Sequence, residues 1–388
     1  MPRDQSASSD LTPPARALAA FQRRFDGSPR LFQAPGRINI IGEHVDYAGG
    51  LVLPAAIDRH VVVAARANGS LRLTAASAAM GAEAAVDLGA LAPSGGWIDY
   101  VAGVAQALSA AGIAVPGADL WIESDLPIGA GLSSSAALEV AVACALLALA
   151  GLEAEGVQIA RWAQDAENDF VGAPCGIMDQ YAAANGVAGA ALLLDCASLH
   201  AERVPLPETA RFLIVDSQTR HAHAEGAYRR RREECEVAAR LLGVDQLAQI
   251  EAEDLPAALA RLPEVLARRC RHVVSEIARV RAAVDALASG DLPQLGRLLD
   301  RSHVSLRDDM QVSTDAVDRL VALAQATPGV LGARMMGGGF GGSIIALADV
   351  TQADDALAGV RDRFADVIGK RPEAFLCRAV GGAGEIAA

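Results

Sequence analysis

Hydrophobic and polar positions alternate along the chain in two periods, which predict a mixture of helices and strands. Apolar residues at helical spacing predict helices over residues 16–25, 97–111, 157–169, 225–242 and 264–287. Shorter apolar runs between turn residues predict strands over 38–41, 61–65, 71–74, 120–124, 191–194, 211–215, 330–333 and 343–348. After about residue 201 the sequence contains more charged residues and more predicted helix. We therefore expect two domains, residues 1–205 and 206–388, with a frayed tail over 381–388.

Composition and charge narrow the class of protein. The chain has 388 residues, of which 52% are hydrophobic, and a net charge of −13. This acidic balance argues against nucleic-acid and anionic-membrane partners, because both are attracted to a basic surface. The longest apolar run, residues 140–150, is shorter than the roughly 20 residues of a membrane span. We expect small-molecule ligands and no membrane partner, and a monomer is compatible with these numbers.

The cysteines and the N-terminus predict a cytoplasmic location. Six scattered cysteines, at positions 144, 175, 196, 235, 270 and 377, form no Cys-x-x-Cys pair, which indicates reduced thiols. The first residues lack the apolar segment of a secretory signal. We expect no zinc site at two further pairs of possible ligands, because neither has more ligands at zinc spacing. These pairs are His221 with His223 and Cys270 with His272.

Lysine is almost missing, which excludes several ways of handling phosphate. Of 34 basic residues, only Lys370 is a lysine, and it is followed by arginine instead of the serine or threonine of a phosphate-binding P-loop. The strand lysine and His-Arg-Asp loop of protein kinases are also missing. If the chain binds phosphate, it uses main-chain amides, a helix dipole, arginine and a metal ion.

Residues 34–50 form the first chemically dense block. Glu43, His44 and Asp46 supply several hydrogen-bond acceptors and a donor within four positions, which suits a ligand with many hydroxyl groups. Arg37 lies one short strand upstream and could face the same cavity as a fixed positive charge. The alternative is a solvated hairpin with an incidental salt bridge.

The second and third blocks are rich in glycine. Residues 127–136 place glycines at 129 and 131 and serines at 133–135 before a long apolar helix that runs to about residue 149. Glycine lets a backbone approach a ligand, and serines that cap a helix leave its positive end free for an anion. Residues 337–342 hold five glycines in six positions. The alternatives are an ordinary capped helix for the second block and a structural bulge for the third.

Two isolated acids complete the set of candidates. Asp179 follows an apolar segment that begins at Cys175, and pairing with Arg37 would keep its carboxylate ionised. The alternative role for this residue is a cap or turn. Glu167 ends a predicted helix and is either a metal ligand or a surface charge. Tyr228 is expected to precede the helix that carries the arginine run 229–232.

Together the three blocks resemble the signature motifs of the GHMP small-molecule kinases, and the first block resembles the galactokinase branch. The run Gly36-Arg37-Ile38-Asn39-Ile40-Ile41-Gly42-Glu43-His44-Val45-Asp46-Tyr47 carries this likeness, with matches that extend to about residue 343. The resemblance implies an α+β, two-domain GHMP kinase fold. Its N-terminal domain would be similar to ribosomal protein S5 domain 2, its C-terminal domain would be ferredoxin-like, and the active site would lie in the cleft.

The resemblance also implies roles for individual residues. Asp179 would take the proton from the anomeric hydroxyl of the sugar, and Arg37 would orient it and stabilise the charge that moves onto the γ-phosphoryl group. The sugar would be held by Glu43, His44, Val45, Asp46, Gly176, Asp179 and Tyr228. ATP would be bound by Gly129, Ala130, Gly131, Leu132, Ser133, Ser134 and Ser135, with Trp97 on the adenine side. Ser135 and Glu167 would be the Mg²⁺ ligands.

The activity that this resemblance implies is ATP- and Mg²⁺-dependent phosphorylation of the anomeric hydroxyl of galactose, a step of galactose metabolism. Ala48 occupies a place where galactokinases commonly have a polar residue, so the breadth of sugar recognition at C2 stays open. The alternatives are a kinase for a related sugar, such as N-acetylgalactosamine or arabinose, and a non-catalytic galactose sensor on the same fold.

Overall fold

The computed structural model describes residues 11–127, 129–220 and 224–387 of the chain. The helices in these residues are α1 (Pro13–Arg24), α2 (Asp99–Ala110), α3 (Ser134–Leu149), α4 (Gly156–Asp165), α5 (Met178–Asn185), α6 (Ala224–Leu242), α7 (Leu255–Ala260), α8 (Glu264–Ser289), α9 (Leu292–Ser305), α10 (Asp315–Gln325) and α11 (Ala353–Ile368). The strands are β1 (Arg30–Asn39), β2 (Leu51–Val52), β3 (Pro54–Ala67), β4 (Arg72–Ser77), β5 (Ala82–Asp87), β6 (Ala118–Ser124), β7 (Ala190–Asp195), β8 (Ala201–Pro205), β9 (Ala210–Arg220), β10 (Val330–Met335), β11 (Gly341–Asp349), β12 (Ala374–Cys377) and β13 (Gly384–Ile386).

The strands form three sheets. The largest has the order β13-β1-β3-β6-β4-β5, a second has the order β10-β11-β9-β12, and a third has the order β2-β7-β8. Each helix and strand predicted from the apolar pattern is present, although the predicted strand 38–41 is the end of the longer β1 and the predicted strand 71–74 is the start of β4. The predicted helix 157–169 is α4 followed by a π turn over Ala166–Val171.

Two hydrophobic cores support the sheets. The first surrounds α3, whose apolar residues face neighbours on most sides, as expected of a central helix. The second lies between the sheet that contains β9 and the helices α8, α10 and α11.

The prediction of a frayed tail is wrong for residues 384–386, because β13 pairs with β1 and Leu31 faces Ile386. The predicted domain boundary falls between β8 and β9 and stays a prediction.

A β-bulge in β1 places the first site residue. The register between β1 and β3 shifts between Pro35 and Arg37, where proline cannot donate a ladder hydrogen bond. A Cβ at Gly36 would lie 2.4 Å from a methyl carbon of Leu126, so only glycine fits here. After the bulge, the Arg37 amide donates to the Leu132 carbonyl at 3.2 Å.

In the described residues, the structure shows no helix long and apolar enough to cross a membrane.

Candidate active site

A cavity of about 250 Å³ lies between the first and third sequence blocks, and the second block borders it through hydrogen bonds to Arg37 and Asp179. It is bordered by the acidic loop (residues 42–49), by the glycine loop (residues 336–342) and by the start of α5. The side chains and glycines that line it include Arg37, Glu43, His44, Asp46, Glu167, Cys175, Gly176, Met178, Asp179, Tyr228 and Gly337–Gly339. Residues that lie more than 300 positions apart in the chain thus share one small cavity.

Arg37 and Asp179 form the predicted pair at the centre of this cavity. The guanidinium donates from Nε to Oδ1 of Asp179 at 2.8 Å and from Nη2 to Oδ2 at 2.9 Å, a two-pronged geometry that lysine cannot reproduce. Its third nitrogen, Nη1, donates to the Gly131 carbonyl at 2.5 Å. Burial lowers the pKa of Arg37, but the Asp179, Glu43 and Asp46 carboxylates outweigh it, so the pKa is raised and the charge is fixed.

The acidic loop presents Glu43 and His44 from a tightly bonded backbone. Glu43 is buried, and its Oε1 accepts from the Gly337 amide at 2.8 Å. His44 has its Nε2 at 3.1 Å from the Gly338 carbonyl and its Nδ1 at 2.8 Å from the Tyr47 hydroxyl. A carbonyl only accepts, so Nε2 carries the proton. Burial lowers the pKa of His44 to about 3, so the imidazole is neutral and does not change its charge near pH 7.

Asp46, Gly176 and Tyr228 close the opposite side of the cavity. A Cβ at Gly176 would lie 1.9 Å from Oδ2 of Asp46, which explains why glycine follows Cys175. Burial, followed by the Asp179 charge, raises the pKa of Asp46 to about 7. The Tyr228 ring lies 5.2 Å from the ring of His44, measured between centroids. The sequence predicted that Tyr228 precedes α6. The residue instead lies within this helix.

The serine turn (residues 129–135) borders the cavity beside Arg37 and Asp179. Gly129, Gly131 and Ser133 all have positive φ, of 70°, 77° and 60°. The prediction that these serines cap α3 is wrong for Ser133, the N-cap residue, because it makes no side-chain cap bond and donates instead to Asp179. A Cβ at Gly131 would lie 3.2 Å from the Met336 carbonyl, so the turn packs directly on the glycine loop.

Glu167 is buried, so the alternative that it is a surface charge is wrong. Its side chain is held by Gln180, whose Nε2 donates at 2.6 Å, and by the hydroxyl of Ser135. Burial raises the pKa of Glu167 to about 7, and the Ser135 hydrogen bond opposes that shift. In the described residues, no basic side chain forms an ion pair with this carboxylate. Ser135 and Glu167, the predicted metal pair, are therefore neighbours.

Sequence reasoning missed Glu139, which is fully buried in α3. It lies four residues after Ser135 and so on the same helix face. Burial, followed by the Glu167 charge, raises the pKa of Glu139 well above its usual range, so the protonated carboxyl hydrogen-bonds to Glu167. The available signal was a single acid within an otherwise apolar helix.

Some predicted site residues lie beside the cavity. The Val45 side chain is buried in the second core, and its carbonyl accepts from the amides of Ala48 and Gly50. Trp97 packs against the first core at the start of α2. Ala130 and Leu132 are buried in the first core, so only their main-chain atoms could reach a ligand. His221 and His223 lie outside the described residues.

Comparison with known proteins gives consistent matches along the chain. Three family models match: the galactokinase galactose-binding signature over residues 19–67, the GHMP kinases N terminal domain over 99–187, and the GHMP kinases C terminal over 283–366. The chain is 44% identical over 372 residues to a galactokinase of Chloroflexus aurantiacus, covering 94% of this chain and 95% of that protein. It is 42% identical over 373 residues to a galactokinase of Roseiflexus, with the same coverage.

Solved structures show the same fold. Lactococcus lactis galactokinase complexed with galactose matches with a TM-score of 0.90 at 32% identity, covering 95% of this chain and 98% of that chain. Methanococcus jannaschii mevalonate kinase matches with a TM-score of 0.64 at 18% identity, covering 92% of this chain and 100% of that chain. At that lower identity, the second match concerns the fold alone.

Proposed function

This chain belongs to the galactokinase family of the GHMP kinases, and from that premise we propose how its residues act in the phosphorylation of galactose by ATP. The predicted α+β GHMP kinase fold is confirmed by the two domain models and by both structural matches. The observation that carries the proposed mechanism is the position of Arg37. Its guanidinium binds the Asp179 carboxylate and the Gly131 carbonyl at once, and so joins the sugar side of the cavity to the serine turn.

Asp179 is the proposed base. Its carboxylate lines the cavity and is oriented by Arg37 and by the Ser133 hydroxyl, so it could accept the proton of the anomeric hydroxyl. Phosphoryl transfer depends mainly on positioning and on neutralising charge. The fixed positive charge of Arg37 lies beside the hydroxyl that becomes the nucleophile and could stabilise the charge on the transferred group.

The sugar is held by the acidic loop and its neighbours in this proposal. Glu43 and Asp46 provide acceptors for sugar hydroxyls, and the neutral His44 adds an apolar ring face beside Tyr228. Gly176 allows the sugar to approach the backbone, and Val45 shapes the loop through its carbonyl hydrogen bonds. These groups suit an uncharged ligand with many hydroxyls.

The nucleotide phosphates are held by main-chain nitrogens of the serine turn, residues 129–135, and by the positive end of α3. Trp97, at the start of α2, borders the adenine in this arrangement. The turn supplies no lysine, so the amides and Arg37 provide the attraction for the phosphate charge.

Ser135 and Glu167 fit a Mg²⁺ ion. The two oxygen ligands are hydrogen-bonded to each other, and burial raises the pKa of Glu167 to about 7, a cost that a divalent cation would offset. In the described residues, no cluster of three or more histidine, cysteine or acidic side chains is arranged for a metal ion. Mg²⁺ usually binds one or two carboxylates together with substrate phosphates, and Glu167 would be such a carboxylate. When bound, the ion would neutralise phosphate charge.

The organisation and location of the chain also stay proposals. A boundary at residue 205 is supported by the connection between β8 and β9, while β13 returns to the first sheet. A cytoplasmic location is supported by the six cysteines, all of which are described and free of disulfides.

Replacing Asp179 by Asn tests the proposed base. The amide keeps the size of the side chain but cannot take the proton, so kcat should fall by about 10²–10⁴-fold. ADP release measures kcat, and fluorescence titration with an ATP analogue measures nucleotide affinity, which should stay within about threefold of wild type. A kcat close to the wild-type value would show that Asp179 is not the base.

Sugar breadth is tested by ADP release with galactose, 2-deoxygalactose, N-acetylgalactosamine, arabinose and glucose. Ala48 is buried in the second core and does not widen the cavity, so we expect galactose to have the highest kcat/KM. A higher kcat/KM for N-acetylgalactosamine would contradict this expectation. The sugar-free reaction measures background ATP hydrolysis.

A further inference from the structure

The backbone on both sides of Glu43 has a positive φ. Gly42 has φ of +105°, and a Cβ there would lie 2.9 Å from the Leu51 carbonyl oxygen. His44 has φ of +58°, although it is not glycine. Glycine adopts such a φ readily, but at His44 it costs free energy and persists only where the surrounding structure enforces it. The loop that presents Glu43 therefore needs support from outside its own sequence.

Helix α8 provides that support through two side chains one turn apart. Oε1 of Glu276 accepts from the Gly42 amide at 3.1 Å, and Nε2 of His272 lies 2.9 Å from the Glu43 carbonyl oxygen. His272 and Glu276 are both fully buried and are four residues apart, so they project from the same face of the helix. Together they hold the two ends of the Gly42–Glu43 dipeptide.

Both supporting side chains are themselves fixed. Glu276 accepts from Ser302 at 2.6 Å and from Arg279 at 2.6 Å, while Nδ1 of His272 lies 2.9 Å from the Ser305 hydroxyl. Because the Glu43 carbonyl only accepts, Nε2 of His272 must carry the proton. A helix that contributes no atom to the cavity thus reaches the acidic loop through a rigid chain of hydrogen bonds.

A third contact comes from β10. Arg334 is fully buried and donates from Nε to the Ile40 carbonyl at 2.9 Å, and its Nη1 lies 3.4 Å from Oε1 of Glu43. Hydrogen bonds thus fix residues 42 and 43 of the acidic loop, and residue 40 just before it, without any ligand.

We propose that His272 and Glu276 are positioning residues for sugar binding: they hold Gly42 and Glu43 in the conformation that directs the Glu43 carboxylate into the cavity. This inference rests on the proposed function, in which Glu43 binds the sugar. It assigns a role in substrate recognition to a face of α8 that lies behind the cavity. The role is indirect, so it should change affinity for the sugar while sparing affinity for the nucleotide.

Replacing His272 by Ala tests the inference. The change leaves the Glu43 carbonyl without its donor, so the KM for galactose should rise by about tenfold or more while the KM for ATP stays within about twofold. Replacing His272 by Gln should recover most of the loss, because the Gln Nε2 can donate from nearly the same position. For Glu276, the Gln variant should keep a lower galactose KM than the Ala variant, because its amide oxygen still accepts from Gly42.

Cys270→Ala is the matched control. Cys270 is also fully buried on α8 but packs in the second core, so its loss should lower the melting temperature without changing the galactose KM. The inference is overturned if His272→Ala loses stability like this control and keeps its galactose KM, or if the KM for both substrates rises equally. Should His272→Ala fail to fold, Ser305→Ala decides, since it removes the partner of Nδ1 together with one hydrogen bond to Asp309 and leaves the His272 side chain in place; an unchanged galactose KM there also overturns the inference.

Glu43→Gln separates this inference from the proposed function. If Glu43→Gln raises the galactose KM but His272→Ala does not, the sugar role of Glu43 stands and the role of α8 is refuted. If Glu43→Gln leaves the galactose KM unchanged, the proposed sugar site itself is wrong.

Discussion

The acidic loop and the serine turn reach one cavity with very different internal support. In the acidic loop, Glu43 accepts from the Gly337 amide, and both nitrogens of His44 have partners. In the serine turn, two glycines with positive φ precede Ser133, whose hydroxyl leaves the helix end and binds Asp179. One loop is fixed by side chains from behind, whereas the other presents mainly backbone.

In the proposed function, this difference follows from the ligands of the two loops, a sugar for the acidic loop and a nucleotide for the serine turn. A neutral sugar offers only hydroxyl groups, so its site gains affinity when the protein's acceptors are already in place and little order has to be created on binding. A nucleotide brings several negative charges, which main-chain amides at a helix end attract without a dedicated side chain. The sugar side is thus preorganised, and the phosphate side is completed by its ligand.

Arg37→Lys should have the largest effect, because Arg37 is the residue that connects the two loops. Lysine keeps the charge but cannot bind both oxygens of Asp179 and the Gly131 carbonyl together. We expect kcat to fall by about 10²–10³-fold. Steady-state kinetics measures this change, and Arg30→Lys on the same strand, an exposed partner of Glu385, is the control. If both variants keep the wild-type kcat, the fork of Arg37 has no catalytic importance.

The pH dependence of kcat/KM for galactose should be the next largest effect. Burial raises the pKa of Asp46 to about 7, so the carboxylate that we propose as an acceptor for sugar hydroxyls is protonated below that pH. Galactose kcat/KM should therefore fall as pH decreases from 8 to 6, by up to about tenfold per unit at the acidic end. The Glu167 carboxyl has a pKa of about 7 as well, so it contributes to the same limb.

Asp46→Asn separates the two carboxyl groups. Measured at saturating Mg²⁺ and ATP, this variant should lose the part of the pH dependence that belongs to Asp46 and keep the part that belongs to Glu167. A profile identical in shape to that of the wild type would mean that Asp46 does not control sugar binding. The acidic loop would then be less important for recognition than the comparison with the serine turn suggests.

The sequence identified many of the polar side chains that line the cavity. Arg37 and Asp179 were expected to pair, and their side chains do so. Glycine-rich blocks and clustered acids are unusual in strands and helices, so they attract attention without any knowledge of packing. The resemblance to the GHMP kinases added the fold and the individual roles, which no periodicity could supply.

The supporting residues could not be predicted, for a physical reason. His272 and Glu276 lie on a long helix rich in arginine, where buried and solvated charges look alike until the helix is packed. Half of the residues of strand β5 are alanine and two are acidic, and these residue types are uncommon in strands, so its pattern was missed. Strand β13 forms only because β1, more than 340 residues earlier, provides an open edge. Such long-range pairing leaves little local signal.

Cys175→Ser should have the smallest effect. The thiol lies 3.5 Å from Oε2 of Glu167, and burial raises the Cys175 pKa well above its usual range, so it is a neutral donor and not a nucleophile. A serine hydroxyl keeps a donor at this position, and kcat should stay within about twofold of wild type. Cys196→Ser, at another half-buried thiol, controls for a general loss of stability.

The Cys175 variant also sharpens the comparison, because the residue lies between Gly176 on the sugar side and Glu167 on the nucleotide side. A folded Cys175→Ser enzyme with a tenfold or greater loss of kcat would contradict the packing role assigned to the thiol. In that case the kinetic constants would show which loop it serves. A raised galactose KM would connect it to the acidic loop through Gly176 and Asp46, whereas a raised Mg²⁺ requirement would connect it to the serine turn through Glu167.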